Sequence, residues 1–253
     1  MPFALNTLRS TLHYRKEAFN AGLEALGFTV VPVLAHPKPE DVLILWNRYG
    51  GYHEQAARFE RFGARVVIAE NGYLGKNWRG DDWFALSLWH HAGAGEWPNN
   101  GASRWDSWAV PLEPWRFEGK ETIIFGQRGI GEPSVRCPDG WAERVQSITG
   151  GRIRRHPGTG PAVPLSEDLK NAEQVVTWNS AAAFVALISG IPVWCSWPKW
   201  LGASASTPLE QWGLMDPLRS DSARLEMFRR LAWAMWTLEE IKTGEAFRAL
   251  LAT

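Results

Sequence analysis

The amino-acid sequence predicts an α/β protein with two lobes, each built around a parallel sheet. Short apolar and β-branched segments alternate with segments of helical spacing, a rhythm typical of parallel strands joined by crossover helices. A Trp-rich stretch interrupts this rhythm, which resumes after it. The length of 253 residues fits one large domain or two small lobes. Together these observations favour two lobes.

The first half begins with alternating strands and helices. The pattern predicts strands at residues 3–7, 28–34, 41–46 and 65–69, and helices at 15–26 and 53–62. Gly27 and Gly63 directly follow the two helices, where glycine is a common stop signal. Residues 76–116 then carry seven tryptophans without regular periodicity. We predict an insertion there, whose indole rings either cover a small core or stack on sugars or bases.

The second half repeats the rhythm. Strands are predicted at residues 121–125, 152–155, 174–177 and 191–195, and helices at 140–148, 166–172 and 181–189. Residues 224–241 place apolar side chains on one face and predict a long C-terminal helix. We therefore expect an N-terminal lobe at residues 1–116, with the Trp-rich insertion at 76–116, and a C-terminal lobe at residues 117–253.

Composition excludes several classes of protein. The 27 Lys and Arg residues balance 27 Asp and Glu residues, which argues against nucleic-acid binding by bulk charge. The two cysteines form no CxxC pair, so neither a zinc cage nor a disulfide framework is indicated. No stretch approaches the roughly 20 apolar residues that cross a bilayer, and the N-terminus lacks the pattern of a signal peptide. We expect a cytoplasmic protein without a membrane span.

Polar residues follow the predicted strands, where ligands bind in open parallel sheets. Asn179 and Ser180 end the strand at 174–177 and precede a helix. The unpaired N–H groups and positive dipole of a helix start suit a phosphate, and Ser180 could bind the same anion. The alternative is a serine that only caps the helix.

A second strand end carries His156 among arginines that include Arg154. Pro157 keeps His156 out of helical geometry, so the ring can point away from the strand end as a phosphate donor. The alternative is a solvated basic turn.

The third and fourth strand ends carry carboxylates. Gln127, Arg128 and Glu132 lie in a glycine loop that fits neither a P-loop nor GxGxxG, so it is either a ligand loop or a flexible surface loop. Glu70 follows the strand at 65–69 and begins the segment Glu70-Asn71-Gly72-Tyr73. This segment is either a functional carboxylate site or a plain turn.

These four motifs, in this order, resemble those of the capsule-polysaccharide β-Kdo glycosyltransferases. The resemblance spans residues 66–195 approximately. The motifs are Glu70-Asn71-Gly72-Tyr73, the Gly126-Gln127 loop through Glu132-Pro133-Ser134, the arginine-rich His156-Pro157 element, and Thr177-Trp178-Asn179-Ser180. The resemblance implies a GT-B fold, that is, two Rossmann-like lobes with a cleft between them. It also implies a nucleotide-sugar donor, CMP-linked. The chain has no Asp-x-Asp motif, so we expect a metal-independent reaction with no bound cofactor.

Residue roles follow from the same resemblance. The nucleotide-binding residues it implies are Gln127, Arg128, Arg154, His156, Asn179 and Ser180. Glu70 becomes the candidate acid or base at the acceptor, with Asn71 and Tyr73 beside it. Glu132 occupies the place of an aspartate that the family is thought to use at the anomeric carbon. A carboxylate suits that place because glycosyl transfer passes through an oxocarbenium-like state.

This chain departs from the family at that carboxylate. Glutamate reaches about one methylene further than aspartate, the loop is one residue longer, and a misplacement of ~1 Å can cost ~100-fold in rate. Glu132 is therefore a repositioned nucleophile, a base in a changed mechanism, or a relic. The acceptor is a glycan or, less expectedly, a modified DNA base held by Trp stacking. A non-catalytic binding protein that kept the fold is the other alternative.

Overall fold

The computed structural model describes residues 1–91, 93–159 and 163–252 and divides the chain into two compact units. Unit 1 contains Met1–Asn100, Gly131–Val135 and the segment from Ala232 onward. Unit 2 contains Gly101–Ile130 and Arg136–Leu231. Each unit holds its own sheet, so the protein is a mixed α/β protein with two parallel-rich sheets, as the sequence predicts.

The strands match the predicted rhythm closely. In chain order they are β1 (Phe3–Asn6), β2 (Thr29–Val31), β3 (Val42–Trp46), β4 (Arg65–Asn71), β5 (Trp83–Leu88), β6 (Glu121–Phe125), β7 (Arg152–Arg154), β8 (Ala172–Thr177), β9 (Val193–Cys195), β10 (Thr207–Pro208) and β11 (Met235–Thr237). The prediction missed β5, β10 and β11.

The α-helices alternate with these strands. In chain order they are α1 (Lys16–Glu24), α2 (Gly51–Arg61), α3 (Ser103–Trp108), α4 (Trp141–Thr149), α5 (Leu165–Leu169), α6 (Ala182–Ile188), α7 (Asp221–Ala232), α8 (Leu238–Lys242) and α9 (Glu245–Leu251). Among the described residues, no helix is long and apolar enough to cross a membrane.

The sheet of unit 1 has the strand order β11-β5-β4-β3-β1-β2. Its four strands β1 to β4 are parallel, while β5 pairs antiparallel with β4 and with β11. Helix α2 covers one face, where Phe59 is fully buried against Leu43, Leu45, Val66 and Ile68. Burial of such side chains stabilises a fold by about 1.5–3 kcal/mol each.

The C-terminal segment packs on the other face of this sheet. Phe19 of α1 makes edge-to-face contacts with Phe84 of β5 and Phe247 of α9. Gly22 of α1 lies so close to α8 that an added Cβ would stand 1.9 Å from the carbonyl oxygen of Ile241. Only glycine permits this approach of two helices.

The sheet of unit 2 has the order β10-β9-β8-β6-β7 and is entirely parallel. Helix α4 packs on one face, where Trp141 contacts a cluster that includes Ile124, Val176 and Trp194. The chain runs from β6 to β7 on one side and then to β8 on the other. The carboxyl ends of β6 and β8 therefore form a topological switch point, the usual ligand site of an open parallel sheet.

The predicted helix at 224–241 is confirmed only in part, because residues 233–237 interrupt it between α7 and α8. Helix α7 ends at Ala232, and β11 then adds to the edge of the unit 1 sheet by pairing with β5. The apolar residues Met235 and Trp236 are buried by this pairing rather than by a helix face. A short apolar run fits either a helix or a strand, and here the pairing with β5 favours the strand.

The residue ranges of the two compact units differ from the lobes expected at 1–116 and 117–253. Residues 101–116 belong to unit 2, where the Trp105 ring stacks on Phe228 at 4.7 Å. The C-terminal 22 residues and Gly131–Val135 belong to unit 1. The Trp-rich segment is not an irregular insertion, because β5 and α3 lie within it. Trp83, Trp97 and Trp105 are buried, which supports the core-covering alternative for these three rings.

Candidate functional site

Two amide side chains meet at the switch point of unit 2. Gln127 follows β6, and Asn179 lies two residues after the end of β8. Gln127 Nε2 donates to Asn179 Oδ1 at 2.6 Å, and the backbone N–H of Asn179 donates to Gln127 Oε1 at 3.2 Å. This reciprocal pair joins the loops that follow β6 and β8. Both side chains are uncharged, so any charge at the site comes from neighbouring residues.

Ser180 is engaged locally. Its backbone N–H donates to Thr177 Oγ1 at 2.9 Å, and its own Oγ accepts from the backbone N–H of Ala182 at 3.3 Å. Both contacts hold the turn between β8 and α6. The N-cap position of α6 is Ala181, without a side-chain cap bond, so Ser180 stabilises the turn before the helix and its contact with a phosphate stays a prediction.

His156 lies beside Arg128 at the carboxyl end of the same sheet. The backbone N–H of Gly158 donates to His156 Nδ1 at 2.9 Å, so the ring proton of the neutral form sits on Nε2. Burial lowers the pKa of His156, and the charges of Arg128 and Arg154 lower it further. A bound anion would reverse part of this shift. The ring and Arg128 thus form a donor pair suited to a phosphate.

Arg154 has a structural partner. Its Nε donates to Asp168 Oδ2 at 2.6 Å, and its Nη2 donates to the carbonyl of Val163 at 3.1 Å. Arg152 Nη1 donates to the other oxygen of Asp168 at 2.8 Å. The guanidinium of Arg154 is therefore already neutralised by a buried carboxylate, and its direct part in ligand binding stays a prediction.

A second polar cluster lies in unit 1, around Glu132. Glu132 is buried, and its Oε1 is in direct contact with His90 Nδ1. His53 Nδ1 lies 3.8 Å from the other oxygen, Oε2. His53 stands in the first turn of α2, and His90 stands two residues after β5. We call Glu132, His90, His53, Arg48 and Glu60 the carboxylate–imidazole cluster.

Arg48 donates hydrogen bonds to two other members of this cluster, His53 and Glu60. Its Nε donates to His53 Nδ1 at 3.2 Å, and its Nη1 donates to the carbonyl of Trp89 at 2.6 Å. Its two terminal nitrogens also pair with both oxygens of Glu60, with Nη2 to Oε2 at 2.9 Å. Arg48 is buried, so its charge depends on these partners.

Glu70 and Asn71 are the last residues of β4, and the turn predicted for this segment follows them at Gly72–Gly75. Tyr73 OH donates to Glu70 Oε2 at 3.2 Å and accepts from the backbone N–H of Gly93 at 3.1 Å. Burial and the neighbouring Glu70 raise the pKa of Tyr73 well above its usual value. Since side chains alternate along a strand, Glu70 shares the α2 face of the sheet with Val66 and Ile68. Asn71 is exposed.

The structure therefore sorts the predicted residues into two groups. Gln127, Arg128, His156, Asn179 and Ser180 lie at the carboxyl ends of β6, β7 and β8 in unit 2. Glu70, Tyr73 and Glu132 belong to unit 1. Sequence reasoning missed the other members of the carboxylate–imidazole cluster. The dipeptide His90-His91 after β5 was a usable signal, but it lay inside a segment interpreted as an irregular insertion.

Across the described ranges, no group of three or more His, Cys, Asp or Glu side chains is arranged to hold a metal ion. Of the arginines beside the two clusters, Arg48 pairs with Glu60 and Arg154 pairs with Asp168. Arg128, beside His156, is the guanidinium group suited to balance the charge of an anionic ligand.

The whole fold resembles solved glycosyltransferases. No family model matches the sequence, and no curated protein matches it. The structure of Thermosulfurimonas dismutans KpsC, β-Kdo 2,7 transferase, superposes with a TM-score of 0.60 at 13% identity, covering 98% of this chain and 99% of that one. The KpsC β-Kdo 2,4 transferase of the same organism gives 0.54 at 12% identity, covering 95% and 98%.

At these identities the likeness shows a shared fold along nearly the full length of both chains. The resemblance predicted from the order of four short motifs is thereby confirmed at the level of the fold: this chain has the fold of the KpsC β-Kdo transferases.

Proposed function

We propose that this protein is a glycosyltransferase that moves a sugar from a nucleotide sugar to a glycan, with a CMP-linked sugar as the donor. The observation that carries the proposal is the set of donors at the switch point of unit 2, in a chain with the fold of two β-Kdo transferases. A switch point is where open parallel sheets bind nucleotides.

Unit 2 binds the donor in this proposal. Arg128 and the Nε2–H of His156 bind the phosphate that becomes the leaving group, and Asn179 and Gln127 hold the loops around it. Preorganised donors of this kind stabilise charge as it develops on a leaving group, typically by about 3–4 kcal/mol each. Arg154 and Ser180 act behind these residues by holding β7 and the turn after β8.

Unit 1 supplies the acid–base groups. Glu132 and Glu70 are the carboxylates of the reaction, and Tyr73 keeps Glu70 in place. A hydroxyl of the acceptor must lose its proton as its oxygen bonds to the anomeric carbon, and a general base raises that rate by roughly 100- to 10,000-fold. A glycan acceptor is favoured over a DNA base because the net charge is zero.

The reaction needs no metal ion in this proposal, because Arg128 and His156 balance the charge of the leaving phosphate. Full activity in excess EDTA would support that statement. Loss of activity in EDTA, with recovery on adding Mg²⁺ or Mn²⁺, would contradict it.

The test measures nucleotide release from CMP-Kdo and from UDP-sugars, with and without glycan acceptors, on the wild type and three variants. We expect CMP release by the wild type, a loss of at least 10-fold for His156→Gln, and a larger loss for Glu132→Gln. His36→Gln is the matched control, since His36 is exposed and outside both clusters. Nucleotide binding without release from any donor would instead identify a non-catalytic binding protein.

A further inference from the structure

The carboxylate–imidazole cluster assigns a specific role to its most accessible member. We propose that His90 is the general base that takes the proton of the acceptor hydroxyl, and that Glu132 acts through His90 as a positioning residue. This inference rests on the proposed function and deepens it. It changes the expected role of Glu132, which the family resemblance puts at the anomeric carbon.

The side chains of His90 and Glu132 differ in solvent exposure. The side chain of Glu132 is 9% exposed, whereas that of His90 is 36% exposed. The two contacting atoms, Glu132 Oε1 and His90 Nδ1, are both buried from solvent. The far side of the imidazole ring, not the carboxylate, is therefore the part that a substrate can reach.

The contact itself fixes where the proton is. A carboxylate oxygen and an imidazole nitrogen that touch away from water repel each other unless a proton lies between them. That proton belongs to Nδ1 of His90. The neutral ring then carries a free lone pair on Nε2, which is the tautomer of a general base. A buried carboxylate that orients an imidazole in this way is the arrangement of the Ser-His-Asp triad.

His53 does not compete for this role. Arg48 Nε donates to His53 Nδ1 at 3.2 Å, so that nitrogen carries no proton and cannot donate to Glu132. The separation of 3.8 Å between His53 Nδ1 and Glu132 Oε2 is too long for a hydrogen bond. His90 is therefore the imidazole in direct contact with Glu132.

Three further contacts fix the loop that carries His90. Ser87 Oγ donates to the carbonyl of His90, and Arg48 Nη1 donates to the carbonyl of Trp89. Tyr73 OH accepts from the backbone N–H of Gly93 and donates to Glu70. A general base must keep its geometry within tenths of an ångström, and these contacts supply that rigidity. Through Tyr73, Glu70 therefore also helps to hold the loop that carries His90.

Burial of the ring favours the neutral form of His90. Burial lowers the pKa of His90 from its usual value, Glu132 opposes that shift, and Arg48 and Glu60 contribute smaller, opposite effects. His53 also faces the cluster, with its Nδ1 held by Arg48. The lone pair on Nε2 is therefore available over the physiological range.

The acceptor hydroxyl oxygen bonds to the anomeric carbon, and its proton passes to His90 Nε2. The bond between that carbon and the phosphate oxygen of the donor breaks, and its electron pair leaves with the nucleotide phosphate. His90 then releases the proton to solvent. The side chain of Glu132 stabilises the imidazolium that forms.

The test compares kcat, KM and pH profiles of the wild type, His90→Gln, His90→Ala and Glu132→Gln, with His36→Gln as the control. We expect His90→Gln to lower kcat by about 100-fold or more with CMP affinity unchanged. Imidazole added to His90→Ala should restore part of the loss. Glu132→Gln should lower kcat less, and its acidic limb should move to lower pH because the charge that opposes desolvation is gone.

A second readout does not depend on activity. The ¹⁵N shifts of the imidazoles report the tautomer, and we expect Nδ1–H at His90 in the wild type. An active wild type in which His90→Gln keeps its rate, or in which His90 is the Nε2–H tautomer, would overturn this inference alone. A wild type that shows the expected tautomer but transfers no sugar from any donor would overturn the proposed function.

Discussion

The candidate sites of the two units differ in the charge of their residues, although both units are built on a mostly parallel sheet. In unit 2 the residues at the switch point are a neutral amide pair, Gln127 and Asn179, bordered by Arg128 and a histidine whose pKa is lowered. In unit 1 the carboxylate–imidazole cluster combines two imidazoles with charged groups, among them the buried Arg48 and Glu132. A neutral, rigid rim suits the binding of an anion. Buried charges in contact with imidazoles suit the movement of a proton.

The first prediction concerns the stability of the buried charges. Arg48→Met should lower the free energy of unfolding by about 3–5 kcal/mol, because it leaves Glu60 and the Trp89 carbonyl without their partner. Arg154→Met in unit 2 should cost less, because Arg152 still neutralises Asp168. Urea unfolding of the two variants checks this order. An Arg154→Met variant that is the less stable of the two would contradict it.

The second prediction concerns the attachment of the C-terminal segment to unit 1. Gly22→Ala should destabilise the protein by about 1–3 kcal/mol, because the added methyl group overlaps the Ile241 carbonyl. Gly51→Ala at the start of α2 is the control, since nothing lies within 4 Å of its added Cβ. Thermal unfolding of both variants is the measurement. Equal melting temperatures would contradict the close packing of α1 on α8.

The third prediction is smaller and concerns pH. The pKa of His156 in the folded protein lies below that of an unfolded histidine. At a pH between these two pKa values, the unfolded state therefore binds more protons than the folded state. The wild type should therefore lose stability relative to His156→Gln as pH falls through about 6.5. An anion that pairs with the imidazolium should raise this pKa, so CMP should bind more tightly as pH falls. A CMP affinity with the same pH dependence in His156→Gln would contradict this role.

The two units also differ in how far their sites could be predicted. In unit 2 each residue of the switch point lies within three residues of the end of a strand, and strand ends can be inferred from apolar runs. Gln127, His156 and Asn179 therefore followed from the sequence. The fold class followed as well, because both sheets are mostly parallel and their strands alternate with helices.

In unit 1 the cluster is built from segments that are far apart in the chain. Arg48 and His53 flank the start of α2, His90 follows β5, and Glu132 reaches unit 1 from a loop after β6. No short-range pattern joins them, and β5 itself was hidden in the Trp-rich segment. The strand β11 was missed for the same reason, since its pairing with β5 is a long-range contact that apolar periodicity cannot reveal.

Binding of CMP to unit 2 tests the central claim most directly. A crystal structure of the protein soaked with CMP, and separately with UDP, would show the position of the phosphate. We expect CMP at the carboxyl ends of β6 and β8, with its phosphate within hydrogen-bond distance of Arg128 and His156 Nε2. Crystals in which neither nucleotide occupies that edge of the sheet at millimolar concentration would contradict the account.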